Sequence, residues 1–265
     1  WLRLTGGRGS ATPDTSTAGA SWDFTNSGLQ VGYDRVLDDA GAGQLVLGVT
    51  AQAGRASADV VNAAGAGDID MTSAGVGLTA TWTLDSGFYL DAQLSLNRLS
   101  ADFATGAAGS LASGRDGTLA GFSLEAGHRL ALGAKSALVP QAQLTFGRLN
   151  GADFTDAQGN MVDLGTHSMT TVRLGLAYQY QDPAAPGTTL YVIGNLLRDL
   201  STETTVLVDG TRLAARNDRT WAEIGEGGTV EIGERTTAYA EGSYRKAGGG
   251  DNDAFALTAG LRMVW

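Results

Sequence analysis

The sequence predicts an all-β protein closed into a twelve-stranded antiparallel transmembrane β-barrel. Three observations carry this: a final segment that alternates in character at every residue, the recurrence of that alternation along the chain, and the sorting of connections into short and long. In the final segment, Phe255, Leu257, Ala259, Leu261, Met263 and Trp265 share one parity, and Ala256, Thr258, Gly260, Arg262 and Val264 share the other. Strand side chains alternate faces, so one face is apolar with aromatics at both ends and the other is mostly small or polar. The segment has the length a tilted strand needs to cross a bilayer, and its terminal aromatics match the two interfacial girdles.

The same pattern recurs upstream. Leu29, Val31 and Tyr33 alternate with Gln30, Gly32 and Asp34, and Leu90, Ala92, Leu94 and Leu96 alternate with Asp91, Gln93, Ser95 and Asn97. Phe122 to Leu130 and Val172 to Tyr180 read likewise. Strands are expected near 1–9, 23–35, 44–57, 70–84, 88–100, 118–130, 137–149, 167–180, 188–199, 213–232, 236–246 and 254–265. The even count suits a bacterial barrel. Two strands are ambiguous. In 188–199, Leu190, Val192 and Leu196 compete with Tyr191, Ile193 and Leu197 for the outer face, and in 213–232 Glu226 interrupts the apolar face.

Connections such as Leu84 to Gly87, Ala131 to Ser136, Gln181 to Gly187 and Gly233 to Thr236 are short. Those at Gly9 to Trp22, Ala56 to Asp70, Ala101 to Gly117 and Asn150 to His167 are long. A barrel has short periplasmic turns and long outer loops. A soluble sandwich or β-helix would also fit the composition, but no fixed repeat supports a helix, and a sandwich does not sort its loops by side.

Composition agrees. The chain has 265 residues with 39 glycines, 4 prolines and no cysteine, which excludes disulfides and thiolate metal sites. Proline is scarce, as strand ladders require. A formal charge of −10 disfavours a nucleic-acid partner. Mean hydropathy is −0.05, and no run is long enough for a membrane helix. No leader opens the sequence before Trp1, so a fragment or processed product is expected.

The chain resembles the C-terminal translocator domain of autotransporters, the type V secretion proteins, over its whole length. The resemblance is carried by Trp1-Leu2-Arg3-Leu4-Thr5-Gly6-Gly7-Arg8, Ser123 to Arg129, Leu138 to Leu144, Val172 to Leu176, Glu223-Ile224-Gly225, Tyr239-Ala240-Glu241 and Ala259 to Trp265. It implies a monomeric twelve-stranded barrel in the outer membrane, with long loops outside and short turns and C-terminus in the periplasm. It also implies a barrel that assists export of an N-terminal passenger, with a helix crossing the pore before the first strand. That helix and the passenger are absent from this chain. The implied partners are outer-membrane lipid, the barrel-assembly machinery, and the passenger with its helix. The alternatives are a general porin or small-solute channel and, further off, a rim enzyme or adhesin.

In the family the last strand is read by the assembly machinery, which would assign that signal to Phe255, Leu257, Ala259, Leu261, Met263 and Trp265. These residues also simply face lipid. The inward parity collects Arg3, Asp34, Asp91, Glu125, Arg129, Gln141, Gln143, Arg173, Glu223, Glu241, Arg245 and Arg262 as pore-lining candidates. A lipid-facing Arg or Lys at the midplane would cost about 2–4 kcal/mol, which lumen placement avoids. They form either a hydrated pore or a lattice of ion pairs bracing the wall. Inner-face glycines, among them Gly48, Gly75, Gly77, Gly127, Gly175, Gly225, Gly227 and Gly260, would let the strands curve or seat a helix.

No cofactor, metal or catalytic residue is expected. His128 reads as an interfacial residue. His167 near Asp163 is a weak imitation of a rim acid–base pair. The loop carboxylates Asp68, Asp70, Asp153, Asp156, Asp251 and Asp253 could bind calcium but read as solvated. No nucleotide-binding loop is present.

Overall fold

The computed structural model describes residues 1–37, 43–181, 183–185, 187–250 and 252–264. Twelve long strands form one ring: β1 (Leu2–Ala11), β2 (Ser21–Leu37), β3 (Gly43–Asn62), β4 (Gly65–Leu84), β5 (Phe88–Thr105), β6 (Gly109–His128), β7 (Ser136–Gly151), β8 (Thr166–Gln181), β9 (Thr189–Asp199), β10 (Thr220–Gly233), β11 (Thr236–Ala247) and β12 (Asp253–Met263). Each pairs antiparallel with its sequence neighbours, and β12 pairs with β1 from Leu2↔Leu261 to Ser10↔Asp253, which closes the barrel. Closure removes every sheet edge, the one way a sheet can sit in hydrocarbon without orphaned backbone groups.

The apolar parity faces outward. Val76 is 61% exposed and Ile224 66%, exposure that would be costly in water and is the arrangement lipid favours. The ambiguous strand is decided the same way. Leu190, Val192 and Leu196 are 56%, 49% and 63% exposed and Leu197 only 9%, so the first set faces out.

Two expectations are corrected. The strand expected at 213–232 divides: Thr211–Arg216 belongs to a loop hairpin and β10 starts at Thr220. The Asp209-Gly210 pair makes the hairpin turn. Both have positive φ, 49° and 76°, as a two-residue hairpin needs. Ala56 to Asp70 and Ala101 to Gly117 are largely not loops. β3 and β4 run on to a turn at Asn62–Gly65, and β5 and β6 to one at Thr105–Gly109. Small residues there dilute the alternation, yet ladder hydrogen bonds continue.

Above the rim, three of the remaining long connections form a second sheet in the order Phe154–Thr155, Met161–Asp163, Glu203–Val208, Thr211–Arg216, Thr15–Ser16. The connections are β7–β8, β9–β10 and β1–β2. On a ring of twelve, the gaps β1/β2 and β7/β8 lie on opposite sides, so this strap joins loops from opposite parts of the rim. The β11–β12 connection joins in through Asn252, which is buried. Its Nδ2 donates to Asp218 Oδ2 at 2.6 Å and to the Thr12 carbonyl at 3.1 Å, and its Oδ1 accepts from the Thr12 N–H. Phe103 of β5 stacks on Phe154 at 5.4 Å, linking the β5–β6 side. Trp265 and Asp251 lie outside the described residues.

Candidate functional site: the barrel lumen

Side chains on strands separated by an intervening strand can meet only on the concave side of a closed sheet. Several such pairs exist, and they locate the inner face. Arg173 of β8 reaches Glu125 of β6, Tyr191 of β9 donates to Glu241 of β11, Arg3 Nε of β1 donates to Tyr239 Oη of β11 at 3.1 Å, and Gln52 of β3 donates to Asn97 of β5 at 3.0 Å.

Arg173 is the hub. Its guanidinium donates to Gln143 at 3.0 Å, Gln141 at 3.4 Å and Asn195 at 2.9 Å, and pairs with Glu125. Glu125 also accepts from Tyr89 Oη at 2.6 Å, and Asn195 donates to Glu223 at 2.7 Å. The network therefore runs unbroken across β5, β6, β7, β8, β9 and β10. Arg173 and Glu125 are 16% and 18% exposed in their side chains. Their charges are paired and hydrogen-bonded, as partial burial demands.

A second group adjoins it, since Asp91 lies directly across from Glu125. Arg3 also donates to Gln30 at 3.4 Å and lies over the Trp1 ring at 5.2 Å. Asp91 accepts from Thr81 at 2.6 Å and Gln93 at 2.9 Å. Arg3, Asp34, Asp91 and Arg262 border one cavity of about 460 Å³. Arg129 borders another of about 290 Å³ with Gln179 and Gln181. Arg245 stands apart near the rim, over Trp221 at 5.3 Å, whose Nε1 donates to Asp199 at 3.1 Å.

Three tyrosines also line the wall, beyond the residues expected from the sequence. Tyr89, Tyr191 and Tyr239 lie across glycines of the next strand, and a Cβ on Gly127 would fall 2.5 Å from the Tyr89 ring and one on Gly227 2.6 Å from Tyr191 Oη. Gly260 receives Tyr239 in the same way, while Gly75 and Gly175 receive Asn97 and Asn195. These glycines are therefore neither bare patches nor mere curvature points: each is a slot for a neighbouring polar side chain. The parity of Tyr89 with Asp91, and of Tyr239 with Glu241, was the available signal.

His167 Nε2 lies 2.7 Å from the Leu164 carbonyl, a local loop contact. Among the described residues no three His, Asp or Glu side chains come together to hold a metal. Asp156 accepts from the Asn160 side chain and from the backbone N–H groups of Asn160 and Gln158, which hold its carboxyl below the usual range. Burial pushes the Asp218 carboxyl up, against the Asn252 hydrogen bond and with the help of Asp14.

An apolar exterior, complete strand closure and a charged, cross-linked interior define a transmembrane β-barrel. The chain belongs to the autotransporter family: the Autotransporter beta-domain description matches residues 1–243. It is 29% identical to the adhesin BmaC autotransporter of Brucella suis biovar 1 over 275 aligned residues, covering 100% of this chain and 8% of that protein. It is 33% identical to the pertactin autotransporter of Bordetella parapertussis, covering 94% of this chain and 27% of that protein. The chain thus spans a small part of these relatives' length. The transport unit of AIDA-I from Escherichia coli shares the fold at a TM-score of 0.83 and 16% identity, covering 100% of this chain and 90% of that one. The beta domain of Bordetella BrkA follows at 0.74 and 23%, covering 100% and 98%.

Proposed function

We propose that this barrel is an outer-membrane translocator that assists delivery of a covalently linked passenger to the cell surface. The observation that carries the reading is a closed barrel whose lumen is lined by Arg3, Asp34, Asp91, Glu125, Arg173, Glu223, Glu241 and Arg262, with polar cavities left between them. Such a wall offers donors and acceptors to a hydrated polypeptide and has little affinity for an apolar one. On this reading the driving force comes from passenger folding outside or from assembly factors.

On this reading the long-loop end, with its strap, lies outside the cell and the short turns lie in the periplasm. The outward side chains of β12, Phe255, Leu257, Ala259, Leu261 and Met263, serve as the assembly signal together with Trp265, and the same strand seals the barrel against β1. The barrel acts as a monomer and has no catalytic role. A small-solute channel is less favoured, because the strap ties opposite loops together.

The test uses the full-length protein in its own outer membrane. Removing residues 1–265 should leave the passenger inside the cell, unreachable by antibody or protease on intact cells. Surface display of the passenger without this barrel would overturn the proposal.

A further inference from the structure

The outer face carries a charge pattern unrelated to the lumen. On every odd-numbered strand the outward apolar run ends, toward the long loops, in a basic residue. Leu2, Leu4 and Gly6 lead to Arg8 on β1, and Val49, Ala51 and Ala53 to Arg55 on β3. Leu94 and Leu96 lead to Arg98 on β5, and Leu144 and Phe146 to Arg148 on β7. Leu196 leads to Arg198 on β9, and Tyr244 to Lys246 on β11. All six are exposed. At the short-turn end the outward face carries Arg35 as its basic strand residue.

Each of the five arginines has a hydroxyl directly across on the neighbouring strand. Arg8 faces Thr25, Arg55 faces Ser27 and Thr72, Arg98 faces Thr118, Arg148 faces Ser168 and Arg198 faces Thr220. Arg55 Nε donates to Ser27 Oγ at 3.2 Å, and Arg198 donates to Thr220. Further toward the long loops, two outward positions beyond Arg55 on β3, the sign reverses where Asp23, Asp59 and Asp68 lie side by side across β2, β3 and β4. Two belt members have carboxylate neighbours: Arg98 pairs with Asp116 at 3.1 Å in a well-exposed bridge, and Lys246 sits across from Asp253. Arg8, Arg55, Arg148 and Arg198 form no ion pair among the described residues.

We infer that this belt binds the phosphate groups of anionic lipids in the leaflet at the long-loop end. The chain has a net charge of −10 and 18 basic residues, so placing six of them in one ring, at one depth, is against its overall balance. Generic interfacial anchoring would use both rims, whereas this ring is one-sided. Guanidinium forks match phosphate oxygens, and the facing hydroxyls supply further donors. Hydrocarbon below and carboxylates above confine the anion to that level. Alternate strands lie about 10 Å apart, which spaces the cations as separate sites around the barrel. Assigning the leaflet to the cell surface rests on the orientation proposed above.

The test compares the full-length protein with a variant carrying Arg8→Gln, Arg55→Gln, Arg148→Gln and Arg198→Gln, and with the matching Arg→Lys variant. Each is purified in mild detergent and mixed with a bis-phosphorylated acylated disaccharide or its dephosphorylated counterpart, and lipid retained per barrel is measured. Wild type should retain at least about fivefold more of the phosphorylated form, from roughly 1 kcal/mol per basic residue. The Gln variant should lose that preference and the Lys variant keep most of it. Equal retention of both lipids by wild type, or an unchanged preference in the Gln variant, overturns the inference. Slowed migration on heating, seen on gels, reports folding, and single Arg8→Gln and Arg148→Gln variants carry the test if the quadruple one does not fold. Gln158→Cys, labelled by an impermeant maleimide on intact cells, tests orientation separately: no labelling sinks the cell-surface assignment and leaves lipid binding to stand or fall on retention.

Discussion

At Arg173, one cation holds four strands. It bonds to Gln141 and Gln143 on β7, Asn195 on β9 and Glu125 on β6. Removing one partner of a largely buried pair is far costlier than never having had it, because the other charge is stranded. Arg173→Ala should therefore lower barrel stability by on the order of 3 kcal/mol, read as an earlier loss of the heat-resistant gel form. Arg173→Ala with Glu125→Gln should recover part of the loss, since the stranded carboxylate is gone. No recovery in the double variant would mean that the pair is not coupled. The charged members of this network were legible in the sequence, because period-two parity put Arg173 and Glu125 on the inner face. Gln141 and Gln143 were placed on that face as well, but which neighbour each residue bonds to was not legible. Parity says which face a residue occupies but not which neighbour it meets, since cross-strand register is set by pairing over the whole sheet. Asn195 entered only with the structure, because the face of its strand was ambiguous; Tyr89 shared the parity of Asp91, but its bond to Glu125 did not show.

At the scale of elements, the strap is the part the sequence hid. Its hairpin, Glu203–Val208 with Thr211–Arg216, has the Asp209-Gly210 turn that marks such structures. Its apolar residues, however, ran on into β10 and read as one strand. Short strands paired across three separate connections leave no local trace. Ser16 and Ala215 are directly paired in the strap, next to Thr17 N–H donating to the Ala214 carbonyl at 2.8 Å. Pairs alternate between bonded and non-bonded types, which makes Ser16–Ala215 a close, non-bonded pair suited to a disulfide. The chain has no cysteine to interfere. Ser16→Cys with Ala215→Cys should slow passenger appearance on the cell surface under oxidising conditions, and a reductant should restore it. Export at the normal rate with the bond demonstrably formed would show that the strap need not part.

Two carboxylates in the connections beside the strap predict a pH dependence for the loop end. Because the folded-state value of Asp218 is raised, its contribution is fully present below the ordinary 3.8 and is lost as the pH rises through the raised value. Asp156 acts with the opposite sign: its lowered value means that the 156–160 turn is supported above 3.8 and released as the pH falls through the lowered value. Asp218→Asn, which keeps an acceptor for Asn252, should make loop proteolysis on intact cells less sensitive to pH between acid and neutrality. An unchanged pH profile would show that Asp218 does not set it.

For the whole molecule, the strand count and closure were legible because a bilayer imposes the same rule on every strand: apolar out, polar in, about ten residues. The strands' extra length was not, because beyond the membrane that rule lapses: segments rich in Gly, Ala and Ser carry β3–β4 and β5–β6 onward on ladder hydrogen bonds, helped by local contacts such as Ser113 donating to Asp102 at 2.6 Å and Phe103 stacking on Phe154. The buried Asn252 has a consequence in time. It clasps Thr12 directly above the join between β1 and β12, two strands at opposite ends of the chain. A contact between residues 240 positions apart is expected to form only once the pairing of β1 with β12 has brought the two ends of the chain together. Late contacts govern how slowly a structure comes apart and hardly affect how fast it forms. Asn252 is thus a clasp on a finished ring: it leaves the rate of closure nearly untouched and lengthens the life of the closed barrel.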